Sequence, residues 1–142
     1  MNHDRYDDAY LRDILEGARR VAVVGLSNNP ARASHQIFHV LQRHGYDVVG
    51  VNPGLAGGEM NGAPIYARLA DVPGRIDIVD VFRNSEAAGE TVDEALALPE
   101  RPGVIWLQLG VRNDAAAERA EAAGVRMVMD QCIKIEIGRL GL

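Results

Sequence analysis

A short polar loop follows the first strongly apolar segment of the chain. Residues 21–25 read Val-Ala-Val-Val-Gly, and Ser27, Arg32 and Ser34 follow closely. Gly25 permits a tight backbone turn, a serine hydroxyl can donate to an anionic oxygen, and an arginine can neutralise its charge. With Ser34 as the N-cap of a helix, the free N–H groups of the first helical turn point to the same place. The chemistry that these residues favour is diphosphate binding.

The same loop also has a plainer interpretation. It lacks the second and third glycines of a dinucleotide-binding fingerprint, and a loop of this composition can simply join a strand to a helix. Asn52 and Pro53 end the next apolar run, where a nicotinamide-cofactor site carries an acidic residue for the ribose hydroxyl. This position argues against NAD, and an NAD(H)-binding redox enzyme or sensor is kept as the alternative function.

Histidine and cysteine residues offer two further kinds of chemistry. His35 and His39 have the i, i+4 spacing with which two histidines of a helix can bind zinc. Neither a third ligand nor the glutamate of a metalloprotease motif accompanies them. We therefore predict no metal site. Cys132 is the only cysteine, which excludes an internal disulfide. A free cysteine is most often a small buried residue, and contact with a ligand thiol is the alternative.

No arrangement of residues in the sequence indicates catalysis. There is no Ser-His-Asp order, no nucleophile elbow and no isolated pair of carboxylates. The pattern favours a binding protein over an enzyme.

The elements that must position these residues alternate between strands and helices. Strands are predicted at residues 21–25, 47–52, 76–81, 103–109 and 125–129, with a short edge strand at 65–66. Helices are predicted at 7–18, from Ser34 to Gly45, from Asn84 or Ser85 to about 98, and from Asn113 to Gly124. This alternation predicts an α/β fold, a single Rossmann-like doubly wound parallel sheet of five strands in the order 3-2-1-4-5, with helices on both faces. Ligands of such sheets bind beyond the carboxyl ends of the strands, which are the loops that begin at Gly25, Asn52, Val81, Gln108 and Asp130.

Length and charge restrict the partners that this chain is expected to have. The 142 residues suit one domain, and 15 Lys and Arg against 20 Asp and Glu give a net charge of −5. Without a basic block, neither nucleic acid nor an anionic membrane surface is an expected partner. The N-terminus is polar and acidic and no apolar run could span a bilayer, so we expect a cytoplasmic protein. Protein partners and oligomeric state are not predicted.

Four separated motifs resemble those of the small CoA-binding protein family. They are Val-Asn-Pro at 51–53, Asp-Val-Phe-Arg at 80–83, Trp-Leu-Gln-Leu-Gly at 106–110 and Met-Asp-Gln-Cys-Ile-Lys-Ile-Glu at 129–136. The resemblance covers about residues 10–140, and each motif lies at the end of a predicted strand. Members of that family are Rossmann-like domains similar to the CoA-binding domain of the succinyl-CoA synthetase alpha subunit. The resemblance implies one CoA-binding domain over residues 1–142, with its core at about 10–140.

The function implied by the resemblance is non-catalytic binding of coenzyme A or an acyl-CoA, as a carrier or a regulatory sensor. Larger relatives pass a phosphoryl group through a histidine of a further domain, and this chain ends before such a domain. The implied ligand contacts are Gly25, Ser27, Arg32 and Ser34 at the diphosphate, Asn52 and Pro53 at the adenosine, Val81, Phe82 and Arg83 in the middle of the cleft, and Gln108, Leu109 and Gly110 on the next strand. Family members often carry Lys or Arg directly after the Asn-Pro pair, where this chain has Gly54. Arg32 or Arg83 is then expected to meet the 3′-phosphate, or affinity for that phosphate is reduced.

Overall fold

Strands and helices alternate along the chain in the computed structural model, which describes residues 1–142. The strands are β1 (Arg20–Val24), β2 (Asp47–Val51), β3 (Glu59–Met60), β4 (Ala63–Tyr66), β5 (Ile78–Val81), β6 (Val104–Leu107) and β7 (Arg126–Val128). The helices are α1 (Asp8–Gly17), α2 (Ala33–Arg43), α3 (Ser85–Leu96), α4 (Asp114–Ala122) and α5 (Ile133–Arg139), with short 3-10 turns at Pro53–Leu55 and Leu69–Asp71. None of the helices combines the length and the apolar character needed to cross a membrane.

The strands form one sheet in the order β3-β4-β2-β1-β5-β6-β7, in which only the β3–β4 pair is antiparallel. The α/β class and the doubly wound architecture agree with the sequence, but the predicted strand count and order were wrong in detail. The sheet has seven strands, and the five predicted ones stand in the order 2-1-3-4-5. The place beside β2 belongs to β4, a strand too short to give a clear apolar run, and the chain then crosses to the other side of β1 to form β5.

Each face of the sheet has its own apolar core, because successive side chains of a strand point to opposite faces. Val79 and Val81 of β5 pack on the face that α3 and α4 cover, and Ile78 packs on the face that α1, α2 and α5 cover. The strands are therefore buried on both sides, as a parallel sheet requires.

The helix ends follow local chemistry that the sequence already shows. The side chains of Asn84 and Asn113 accept hydrogen bonds from the N–H groups of Ala87 and Ala116, at 2.8 and 3.0 Å, and so cap α3 and α4. Gly45 and Gly124, at φ values of +88° and +81°, follow α2 and α4 as predicted. The two asparagine caps fix where two loops at the carboxyl edge of the sheet end, and the two glycines fix where loops at the opposite edge begin.

Helix α5 was not predicted. Ile133, Ile135 and Ile137 alternate with polar residues, which is a strand-like pattern, but only Ile133 and Ile137 are buried, and they have the i, i+4 spacing of one helical face. Ile135 is left 56% exposed. The helix brings both Cys132 and Ile135 to the edge of the sheet where the strands end.

Candidate functional site

A cleft of about 750 Å³ lies along the carboxyl ends of β1, β2, β5 and β6 and beside the start of α5. All five loops expected to meet a ligand contribute to it, the last of them through Cys132. Its lining residues are Gly25, Leu26, Ser27, Asn28, Arg32, Ala33, Ser34, Ile37, Asn52, Gly54, Leu55, Phe82, Gln108, Leu109, Val111, Cys132 and Ile135.

Gly25 shapes the end of β1 at the cleft. Its φ is +85°, and a Cβ atom at this position would lie 2.5 Å from the Phe82 carbonyl oxygen. Its N–H donates to the Val51 carbonyl at 3.0 Å and is therefore not free for a ligand. Gly25 thus lets β1 and β5 approach each other. It offers a ligand no hydrogen bond, but its lack of a side chain leaves room for one.

Ser34 does not cap α2, contrary to the sequence prediction. The helix begins at Ala33, with Arg32 at the N-cap position and no capping side chain. Ser34 is 4% exposed, and its Oγ accepts a hydrogen bond from the Ser27 N–H at 2.9 Å. The Ser27 Oγ in turn accepts from the Asn29 N–H at 3.1 Å. Both hydroxyls therefore hold the loop in shape.

The first turn of α2 offers three N–H groups without partners. The amides of Ala33, Ser34 and His35 make no hydrogen bond within the chain, and the first helical amide that does is that of Gln36, with the Arg32 carbonyl. Unpaired amides and the helix dipole together favour an anion at this position.

Arg32 adds a formal charge to the same part of the cleft. Most arginines of this chain pair with a carboxylate. Arg32 is exposed and makes neither a salt bridge nor a side-chain hydrogen bond, yet it lines the cleft. The cleft therefore has a cationic end whose charge is not neutralised by the protein.

Asn52 connects the end of β2 to the first loop. Its Nδ2 donates to the Leu26 carbonyl at 2.6 Å, and its Oδ1 accepts from the Gly54 N–H at 2.7 Å. Gly54 and Leu55 follow it along the cleft wall, whereas Pro53 is exposed and lies outside the lining. The expected Pro53 contact is therefore not part of the cleft, because the turn that this proline starts directs it outward.

Of the three residues expected at the end of β5, only Phe82 reaches the cleft. Val81 is fully buried in the core beneath α3 and α4. The Arg83 guanidinium turns onto α3, where it donates to Thr91 Oγ1 at 3.1 Å and lies 3.9 Å from Glu90. Arg83 is thus engaged in the fold, which leaves Arg32 as the cation of the cleft.

The end of β6 contributes one polar and one apolar group. Gln108 is 5% exposed, and its Oε1 accepts from the Ile133 N–H at 3.1 Å. Leu109 lines the cleft and is 64% exposed, an unusual fraction for a leucine. Gly110 lies outside the lining, and its N–H donates to Asp130 Oδ1 at 2.6 Å.

Cys132 lines the same end of the cleft and is half-buried, so it is not the fully enclosed core residue that a free cysteine most often is. Phe82, Leu109 and Ile135 surround this end with apolar surface. The cleft is therefore cationic and rich in free amides at α2, and apolar with a thiol at α5.

A carboxyl group without a partner lies in the interior of the sheet. Asp80 on β5 is fully buried, neither carboxylate oxygen has a hydrogen-bond partner, and desolvation raises the pKa of Asp80 well above its usual range.

His35 Nδ1 lies 3.1 Å from the Ser27 carbonyl, and His35 Nε2 lies 3.2 Å from His39 Nε2. No three His, Cys, Asp or Glu side chains lie together as a metal site would require.

Sequence reasoning missed several lining residues. Most are neighbours of predicted ones, and the apolar spacing of α2 could have indicated Ile37. Ile135 could have been predicted only by recognising α5. The missed residues are Leu26, Asn28, Ala33, Ile37, Leu55, Val111 and Ile135.

The fold and the position of the cleft define a Rossmann-like α/β domain with a cleft at the topological switch point of its sheet, where ligands of such folds bind. The family described as "CoA binding domain" matches residues 19–138, and the chain belongs to this family. The chain is 38% identical over 127 residues to the uncharacterized protein YneT of Bacillus subtilis (strain 168), covering 89% of this chain and 91% of that protein.

Solved structures show the same architecture. A hypothetical protein from Pyrococcus horikoshii OT3 superimposes with a TM-score of 0.90 at 32% identity, covering 100% of this chain and 97% of that one. The structure of cell-free ID.343 from Thermus thermophilus gives a TM-score of 0.89 at 38% identity, covering 95% and 99%. The match to the CoA binding domain over residues 19–138 confirms the family resemblance predicted from the four motifs.

Proposed function

We propose that this domain binds coenzyme A or an acyl-CoA reversibly, without catalysing a reaction, as a carrier or a sensor of the bound state. The observation that carries the proposal is the first turn of α2, where three unpaired amides and the unpaired Arg32 meet in one cleft. The other end of that cleft is apolar. CoA has matching parts, a diphosphate at one end of its pantetheine arm and a thiol or thioester at the other.

The proposal assigns each part of CoA to one part of the cleft. The diphosphate binds at the amides of α2 and at Arg32, and the adenosine lies beside Gly54 and Leu55. The arm then runs past Phe82 toward the end of β6. No cation follows Asn52, so Arg32 is the single charge offered to the phosphates.

The same lining favours CoA over a nicotinamide cofactor. It contains no aspartate or glutamate, so no side chain is present to accept hydrogen bonds from the ribose hydroxyls of NAD in the usual way. Asn52, which occupies the corresponding strand end, uses both polar groups of its side chain within the protein. The lining contains neither a histidine nor a carboxylate, which are the side chains that serve most often in acid–base catalysis.

The test is a pair of matched arginine substitutions on one helix. Arg32→Gln removes the cation at the start of α2, and Arg43→Gln makes the same change in charge at its far end, outside the cleft. Calorimetric titration with CoA should show at least about a tenfold loss of affinity for Arg32→Gln, since a charge-assisted hydrogen bond contributes roughly 1.5–3 kcal/mol. Arg43→Gln should bind like the wild type. Equal affinities of the two variants would contradict the proposed diphosphate position.

A further inference from the structure

The α5 end of the cleft carries a side-chain amide donor that no group of the protein uses. Gln108 is 5% exposed, and the hydrogen bond from Ile133 N–H to its Oε1, at 3.1 Å, fixes the direction of the carboxamide. Its Nε2 has no hydrogen-bond partner within the chain and is not sealed inside the protein, so this donor is open to the cleft that Gln108 lines. A ligand that displaces water from this donor must offer it an acceptor, because a donor left unpaired on binding costs free energy. The position therefore favours a ligand that presents a carbonyl oxygen to this amide.

A thiol lies directly beside that donor. Cys132 precedes Ile133, the residue whose N–H holds Gln108, and it lines the same cleft. It is half-buried and is the only cysteine of the chain, so it cannot form an internal disulfide. The carbonyl-accepting position and the thiol are thus neighbours.

We propose that Gln108 binds the last amide carbonyl of the pantetheine arm and that Cys132 exchanges disulfides with oxidised CoA. The proposal rests on the proposed CoA function. Strands β1 and β7 are three places apart in the sheet, so their ends lie roughly 14 Å from each other. The arm is about thirteen bonds long from phosphorus to sulfur, or ~15 Å when extended. An arm held at the start of α2 can therefore reach Cys132.

The distance within the arm, from its last amide carbonyl to its sulfur, also agrees with the positions of Gln108 and Cys132. About four bonds separate the last amide carbonyl carbon of the arm from its sulfur, which is a reach of ~5 Å. A carbonyl held by Gln108 consequently places the sulfur of the arm in the neighbourhood of Cys132. Gln108 is in this account a positioning residue, and Cys132 is the residue that reacts.

The reaction is an exchange with the disulfide of two CoA molecules. The Cys132 thiolate attacks one sulfur of CoA disulfide, a bond forms between Cys132 Sγ and that sulfur, and the original sulfur–sulfur bond breaks. The leaving group is a CoA thiolate, which takes up the proton that Cys132 released. Cys132 is oxidised and one CoA half is reduced, so no other oxidant is needed.

The first measurement is the intact mass of the protein after incubation with CoA disulfide. The wild type should gain the mass of one CoA less two hydrogen atoms, and a reductant should reverse the gain. Cys132→Ser should show no gain. At equal concentrations, CoA disulfide should react at least about ten times faster than hydroxyethyl disulfide, which has no nucleotide, because binding raises the effective concentration of the reacting sulfur.

The role of Gln108 is tested by two variants with the same two disulfides. Gln108→Glu keeps an acceptor for the Ile133 N–H and removes the donor, and Gln108→Met removes both. At least one folded variant should react several times more slowly with CoA disulfide and at the wild-type rate with hydroxyethyl disulfide. A purely structural role would change both rates together, and that result would overturn the assignment of Gln108.

Binding of reduced CoA distinguishes a failure of the disulfide exchange from a failure of the proposed CoA binding. If Cys132→Ser binds reduced CoA and the wild type gains no adduct, or gains it no faster from CoA disulfide than from hydroxyethyl disulfide, the exchange is refuted and the proposed function stands. If neither protein binds CoA, both are refuted.

Discussion

Gly25 allows a quantitative test of how closely β1 and β5 approach each other at the cleft. In Gly25→Ala, the new Cβ would lie 2.5 Å from the Phe82 carbonyl oxygen and 3.1 Å from its carbon, so the backbone must shift. The positive φ of +85° costs an alanine roughly 1–2 kcal/mol. Overpacking in a tight site costs a further ~1–3 kcal/mol. The sum predicts that Gly25→Ala lowers the free energy of unfolding by ~2–5 kcal/mol.

Gly45→Ala is the matched control for this prediction. Gly45 has nearly the same φ, +88°, but nothing lies within 4 Å of an added Cβ. Urea unfolding of both variants, followed by far-UV circular dichroism, should place Gly25→Ala ~1–3 kcal/mol below Gly45→Ala. Equal losses of stability would show that β1 and β5 do not approach as the structure has them, and the assigned shape of the cleft would be wrong.

Two further substitutions test charge in and near the cleft. Gly54→Lys supplies the cation that this chain lacks after Asn52-Pro53, and calorimetry should show that it favours CoA over 3′-dephospho-CoA by roughly 1–2 kcal/mol; Gly58→Lys, in the same loop but outside the cleft, should not. Asp80→Asn removes a carboxyl group whose pKa burial raises, so the folded wild type holds a proton that the unfolded chain releases above its ordinary pKa of 3.8. Wild-type stability should therefore fall relative to Asp80→Asn as pH rises from about 4, by ~1.4 kcal/mol per pH unit until Asp80 itself ionises. Parallel stability curves for the two proteins across this pH range would contradict the buried, unpaired state of Asp80.

Local sequence signals predicted those parts of the fold that depend on local chemistry. Asn113 caps its helix and Gly124 ends it because a side-chain acceptor and a positive φ act within a few residues. No element was predicted at 133–137, where alternation over so short a segment fits a strand as well as a helix. Only the packing of α5 on the sheet decided between them.

The candidate site was predictable at the level of loops but not of every side chain. The carboxyl ends of parallel strands must share one edge, and this placed Ser27, Asn52 and Gln108 correctly along one cleft. Arg83 could not be placed, because whether its guanidinium faces a ligand or α3 depends on Thr91, a residue of another element. Ser34 was misjudged because its acceptor role toward the Ser27 N–H appears only once the loop has closed.

Equilibrium titration of the wild-type chain with CoA and with NADH, under reducing conditions, shows which of the two cofactors the cleft prefers. The cleft has free amides and an unpaired arginine for phosphates, but no carboxylate for the ribose hydroxyls of a nicotinamide cofactor. We predict saturable one-to-one binding of CoA that is at least about tenfold tighter than that of NADH, a difference of ~1.4 kcal/mol. Binding of NADH as tight as or tighter than that of CoA would contradict the proposed CoA-binding function.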